Sequence, residues 1–337
     1  MSTISTISTL QKSLSSRQAI AEQDRLVNQA RQELVTGLKA DVYADRSFRA
    51  AQTLDLRNRM DRTEAFATSN RLLQGRLGIT SGLVSGVRSS LQSFQALSLS
   101  LSLGTQSRDV LQSEARALIK GITSQLNTVY DGEYLFSGQN TQAEPLALPD
   151  SLAEAQLPPG ASASDAASQI ADLDAWFGLN GAPLSTPNYF TSSYGGSDIS
   201  ANARLDEGTT LEFGMNAGDE AVRHMLKGLM MYAQTDVDKL SDPAAFRAWV
   251  DEANAALSKG ISGLQSHEVI LGNQQNFVED MIGRQENLRG IYNNRVVDIE
   301  GVDGYEVASR LEALSAQLEA SYAVTVRLKN LSLLNFL

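Results

Sequence analysis

The chain has 337 residues and a formal net charge of −11, with 42% hydrophobic, 20% charged and 6% aromatic residues. That apolar content supplies a core for two or three domains, the acidic balance argues against nucleic acid as a general partner, and the absence of cysteine excludes disulfides and thiolate metal sites. The charge is uneven: residues 1–80 hold 12 Lys and Arg against 8 Asp and Glu, a basic arm suited to pairing with acidic neighbours in one assembly.

All seven prolines lie between Pro145 and Pro243. Proline costs about 3 kcal/mol inside a helix, so the two proline-free ends are free to form long helices around a compact middle. No apolar run reaches the length of a membrane-spanning helix. The opening Met1-Ser-Thr-Ile-Ser-Thr-Ile-Ser-Thr-Leu10 lacks a basic segment followed by an apolar one, so no cleavable secretion signal is expected.

In the first arm Ile4, Ile7, Leu10 and Leu14 step by three and four, and Ile20, Val27 and Leu34 by seven, which is coiled-coil spacing. Its Ser and Thr content lowers helicity, so this helix is expected to need a partner. Gly37 reads as its stop. A second helix is predicted from about Asp45 to Leu97, with Leu72, Ile79, Leu83, Val87, Leu91 and Phe94 inward. Gly78, Gly82 and Gly86 recur every four residues and are expected to let a neighbouring helix approach closely. Thr105 or Ser107 would cap a third helix over about 107–129. Asp131-Gly132 then signals a hairpin turn, with Tyr134-Leu135-Phe136 strand-like.

Six prolines punctuate residues 141–217. A short helix is predicted near Ser164–Phe177, and strands near Asn188–Thr191, Ile199–Ala203 and Thr209–Phe213. Helical pattern returns at Asp219–Ala233. Asp242-Pro243 reads as an N-cap followed by a first-turn proline, opening a long helix to about Val297. Asp303 with Glu306 fits a capping box for a last helix carrying Val307, Leu311, Leu314, Leu318 and Tyr322. The fold class is therefore mainly α with a small β or mixed insert: a long antiparallel helical, coiled-coil rod formed by both ends, with the middle domain inserted. The expected domains are 1–40 with 303–337, a terminal coiled coil; 41–140 with 218–302, a helical rod; and 141–217, a small mixed or β insert.

Catalytic signals are weak. His224 and His267 stand on different predicted helices and read as surface residues, too sparse for a His-based metal site or triad. Asp298, Glu300 and Asp303 with Gly301 and Gly304 only faintly resemble a calcium loop, because Val302 and Asp303 occupy places that need an oxygen ligand and a glycine. No phosphate loop, cofactor or metal site is expected, and no enzyme. Trp176, Tyr189, Phe190 and Tyr194 could line a binding surface on the insert but read better as its core. The stronger signal is the C-terminal tail, where Leu331, Leu333, Leu334, Phe336 and Leu337 crowd into seven residues. Burying each is worth roughly 1.5–3 kcal/mol, and an apolar surface of that size left open invites association.

Three segments together carry a resemblance: Arg31-Gln-Glu-Leu-Val-Thr-Gly37, Gly132-Glu-Tyr-Leu-Phe-Ser-Gly138 and Leu331-Ser-Leu-Leu-Asn-Phe-Leu337. In order and position they resemble the bacterial flagellin superfamily, most nearly its hook-associated protein 3 type of hook–filament junction protein, over residues 1–138 and 218–337. Where such proteins often have an Asp-Asp-Pro turn near residue 45, this chain has Asp45-Arg46-Ser47. The resemblance implies export through the flagellar type III apparatus with an export chaperone, an extracellular place on the flagellum, and ring assembly with copies of itself between hook-associated protein 1 and flagellin. It also implies a subunit interface built from Ile7, Leu10, Leu14, Leu314, Leu318, Leu328, Leu331, Leu333, Leu334, Phe336 and Leu337. Two alternatives stand beside it: a flagellin forming the filament body, and a secreted adhesin or enzyme carried on the insert.

Overall fold

The computed structural model describes residues 3–41, 48–102, 108–147, 162–234 and 242–334. Among these residues the chain is mainly helical, with two small antiparallel sheets. The elements run α1 (Thr3–Thr36), α2 (Phe48–Ser102), α3 (Arg108–Leu126), β1 (Val129–Tyr130), β2 (Glu133–Tyr134), α4 (Ala163–Phe177), α5 (Tyr189–Ser192), β3 (Ala201–Asp206), β4 (Thr209–Phe213), α6 (Glu220–Gln234), α7 (Pro243–Glu300) and α8 (Gly304–Leu334). Contacts divide the chain into two compact units, residues 1–64 with 286–337 and residues 65–285.

The predicted helices form, and their ends have visible causes. Asp242 accepts a bond from the Ala244 amide at 2.9 Å and Asp303 one from the Tyr305 amide at 2.9 Å, so both carboxylates cap orphan amides of the helices they precede. Gly37 closes α1 at a positive φ of 70°, its amide bonded to the Glu33 carbonyl. The expected caps at Asp45, Thr105 and Ser107 lie outside the described residues.

In the second unit α2 and α7 run antiparallel. Arg88 pairs with Glu268 at 2.8 Å, and further along Gln95 bonds Ser258 at 2.6 Å and Ser98 bonds Asn254 at 2.7 Å. The buried stripe of α2 follows Asn70, Leu73, Leu77, Thr80, Val84, Val87, Leu91, Phe94 and Ser98, steps alternating between three and four. Sequence reading found its second half but placed Leu72 and Ile79 inside, and both are exposed. Polar residues interrupt the stripe: Asn70 is buried because its amide donates to the Leu205 carbonyl and to Gln285, both at 3.0 Å. Among the described residues no helix packs closely on Gly78 or Gly82, since a Cβ at either would meet nothing within 4 Å. The close crossing falls instead between α6 and α7, where a Cβ on Gly228 would stand 2.8 Å from Leu257 Cγ, one on Gly260 2.8 Å from the Met225 amide nitrogen and one on Gly263 2.5 Å from Ala221 Cβ.

The hairpin turn falls at Asp131-Gly132, both at positive φ, as its dipeptide signals. The strand stops at Tyr134. Leu135 and Phe136 lie in turns, buried in the core. Strand β4 forms over the predicted residues, while β3 runs on to Asp206 and pairs with it through an irregularity between Arg204 and Asp206. The strand expected at 188–191 is helical: the Asn188 side chain accepts from the Thr191 amide at 3.1 Å and caps the single turn of α5. One hydrophobic cluster joins α2, α3, α6 and α7 to residues of the middle segment, among them Phe177, Tyr189, Leu205 and Phe213.

Candidate assembly interface

In the first unit α1 and α8 pack side by side. Glu33 pairs with Arg310 at 2.5 Å, and Asp24 accepts from the Tyr322 hydroxyl at 3.1 Å. Positions rise along one helix as they fall along the other, so the pair is antiparallel. Its inner stripe on α8 is Val307, Leu311, Leu314, Leu318, Ser321 and Thr325, in steps of four and three. On α1 it passes through Ser16, Ile20, Gln23, Val27 and Ala30. This is heptad spacing. Sequence reading found α8 as far as Leu318; beyond it Ser321 and Thr325 replace the expected Tyr322, which is 47% exposed.

Packing is uneven along the pair. Val27, Ala30 and Val307 are buried to 3% exposure or less. Leu34, the third member of the expected seven-step, is exposed. Beyond Ile20 the helices enclose an open groove of about 280 Å3 lined by Ser16, Ala19, Ile20, Gln317, Ala320, Ser321, Val324 and Thr325. Leu14, Val324 and Val326 are each at least half exposed. Of the expected interface residues, Leu314 and Leu318 are half-buried on the inner stripe and Leu14 is exposed. Ile7 and Leu10 fall in α1, and Leu328, Leu331, Leu333 and Leu334 in α8; Phe336 and Leu337 lie outside the described residues.

At the tight end, backbone joins the α1 exit to the α7–α8 corner. Leu38 bridges Gly301, the Lys39 amide donates to the Glu300 carbonyl at 2.8 Å, and the Val302 amide donates to the Gly37 carbonyl at 3.0 Å. Glu300 is buried, and Arg57 reaches its carboxylate at 2.6 Å. Asp303 is engaged in capping α8. Glu300 and Asp303, two of the three acidic residues of the faint calcium-loop pattern, thus have structural partners. Nothing in the spacing pointed to the Arg57–Glu300 pair, 243 residues apart.

The aromatic residues of the middle segment are core. Tyr189 is fully buried, stacks at 6.2 Å on Tyr194 and donates to the Ala217 carbonyl at 2.7 Å; Trp176 meets Phe177 edge-on at 4.5 Å. Burial pushes the phenols of Tyr189 and Tyr194 well up from their ordinary value. The histidines do not meet on one site. His267 stands 3.0 Å from Asp219 and His224 3.4 Å from Glu220. The surface reading of His224 is wrong, because it is 5% exposed. Among the described residues no group of three or more His, Asp or Glu side chains could hold a metal ion, and no helix is long and apolar enough to cross a membrane.

The long helices, the paired α1 and α8, and the half-buried heptad stripe define a mainly α protein whose two ends pair as helices. Family models for the bacterial flagellin N-terminal and C-terminal helical regions match residues 7–141 and 249–337, together about two thirds of the chain. The chain belongs to the flagellin family. No curated protein matches it. Among solved structures it is similar to a flagellar hook-associated protein of Vibrio parahaemolyticus, at 16% identity and a TM-score of 0.54, over 76% of this chain and 99% of that one. Bacillus cereus FlgL is also similar, at 15% identity and a TM-score of 0.42, over 74% of this chain and 99% of that one. The first of these likenesses shows a shared fold.

Proposed function

We propose that this chain is a structural, non-enzymatic subunit of the hook–filament junction, joining hook-associated protein 1 to the flagellin filament. The observation that carries this reading is the match of both chain ends to the flagellin helical regions, together with their pairing as α1 and α8. A pair that leaves Leu14 exposed and Leu314 and Leu318 half-buried keeps apolar surface for further partners. Those partners are copies of the chain in a ring, with hook-associated protein 1 on one side and flagellin on the other, and an export chaperone before secretion through the type III apparatus. The contacts run through Ile7, Leu10, Leu14, Leu314, Leu318 and the leucine-rich tail. In this reading 1–40 with 303–337 form the inner coiled coil, 41–140 with 218–302 the rod, and 141–217 the outward insert. Tyr134–Gly138 and the Leu-Ser-Leu-Leu-Asn-Phe-Leu ending favour the junction protein over a filament-forming flagellin.

Electron microscopy of cells lacking the gene tests it. Bare hooks with flagellin shed into the medium are expected, with filaments restored by the wild-type chain but not by a Leu314→Asp, Leu318→Asp variant. Filaments still attached without this chain would overturn the reading. Loss of all filament protein from both cells and medium would favour the flagellin alternative.

A further inference from the structure

The second unit holds a charged seam between α4, α6 and α7. On α6, Arg223, His224 and Lys227 face into it. Lys227 is fully buried, its Nζ 2.6 Å from Asp174 on α4 and 2.5 Å from Glu252 on α7. Arg223 donates to the Phe177 and Gly178 carbonyls at 2.7 and 2.8 Å. These belong to the C-terminal end of α4, where a helix carries partial negative charge. One cationic face of α6 therefore fastens α4, and the closely packed Gly228, Gly260 and Gly263 set α6 against α7.

His224 sits in this face at 5% exposure. Its Nε2 stands 3.4 Å from a Glu220 carboxylate that is 68% exposed, and no described atom bonds its Nδ1. Its charged neighbours are Lys259 on α7 and Glu220 and Lys227 on its own helix. Asp174 on α4 and Glu252 on α7 are already engaged by Lys227, while Lys259 bonds Asn180 at 2.7 Å. A neutral imidazole fits this place. An imidazolium would be a third cation beside two ammoniums, opposed by one largely solvated carboxylate, and a buried charge without a close partner is strongly unfavourable.

We propose that His224 is an acid-sensitive pin of the α4–α6–α7 seam, whose protonation loosens α4 and α6 from α7. Burial and then Lys259 hold the His224 pKa below the ordinary histidine value, with Glu220 opposing. The unfolded chain therefore takes up this proton before the folded one does. The seam is most stable above about pH 6.5 and weakens as acid is added below it.

Both tryptophans report on the seam: Trp176 lies on α4, and Trp249 on α7 donates to the Met231 carbonyl of α6 at 3.0 Å. The test follows the thermal midpoint of the full chain by tryptophan fluorescence between about pH 7.5 and pH 5.5, a window spanning the ordinary histidine value. The wild-type midpoint is expected to fall on acidification. In His224→Gln the fall should shrink by about half or more, whereas His267→Gln should keep it. Lys259→Gln removes a neighbouring cation without touching the core and should also flatten the profile, which keeps the idea testable if His224→Gln folds poorly. An acid-induced fall equal to wild type in Lys259→Gln, or in a folded His224→Gln, would overturn the proposal.

Discussion

Gly138→Ala is the sharpest test of how the Tyr134–Gly138 segment is held. Gly138 has φ +61°, and an added Cβ would land within contact distance of the Ser197 carbonyl oxygen and 2.6 Å from that of Ile199. Two backbone bonds hold the 197–199 segment close by, the Gln139 amide donating to the Ile199 carbonyl at 3.0 Å and the Ser197 amide to the Ser137 carbonyl at 2.9 Å. A left-handed conformation costs an L-residue about 1–2 kcal/mol. Moving the 197–199 backbone away weakens both bonds, at about 1 kcal/mol each. The expected destabilisation is about 3–4 kcal/mol. Gly132→Ala is the matched control: φ is +80° there, but nothing lies within 4 Å of the new Cβ, so only the conformational cost of about 1–2 kcal/mol applies. Urea unfolding followed by the two tryptophans, both in the same unit as these glycines, reads the difference. Equal midpoints for the two variants would refute the steric reasoning.

Lys227→Met should cost about 3 kcal/mol, because it leaves Asp174 and Glu252 facing each other without their cation. Adding Asp174→Asn and Glu252→Gln should recover most of that loss, as measured by urea denaturation. Asp219 is raised by burial, but bonds from His267 and the Ala221 amide outweigh this and lower its pKa overall. A carboxyl depressed in the folded state contributes stability above its unfolded value and loses it as pH falls through the folded one. Asp219→Asn should therefore cost about 1 kcal/mol near neutral pH, and denaturation series should show the gap from wild type closing below about pH 4.

Helices were legible wherever apolar spacing and caps agreed. Asp242-Pro243 and Asp303 announced α7 and α8 through chemistry confined to a few residues. The inner stripe of α2 was legible only from Leu83 onward, because upstream it runs through Asn70 and Thr80, whose burial depends on partners and backbone acceptors that spacing does not show. Gly78, Gly82 and Gly86 had a more regular pattern than Gly228, Gly260 and Gly263, yet among the described residues only the latter are crowded by a neighbouring helix, a Cβ on Gly86 meeting just the Gln125 side chain at 3.9 Å. Which glycine is crowded is decided by tertiary crossing. His224 was misplaced for the same reason: a lone histidine gives no sign of whether its helix face turns inward. Of the candidate interface, the heptad on α8 was visible as far as Leu318. The Arg57–Glu300 pair and the Leu38–Gly301 bridge were not, since they join residues far apart in the chain.

The unequal packing of α1 against α8 gives the pair a direction of opening. From the Leu38–Gly301 bridge to Val27 it is clamped by backbone bonds and closed side chains; toward Ser16 and Thr325 it is slack, joined across small and hydroxyl-bearing residues. Separation should begin at the slack end and travel inward, so this part of the chain can be peeled into an extended strand turn by turn, against little resistance until it reaches the clamp.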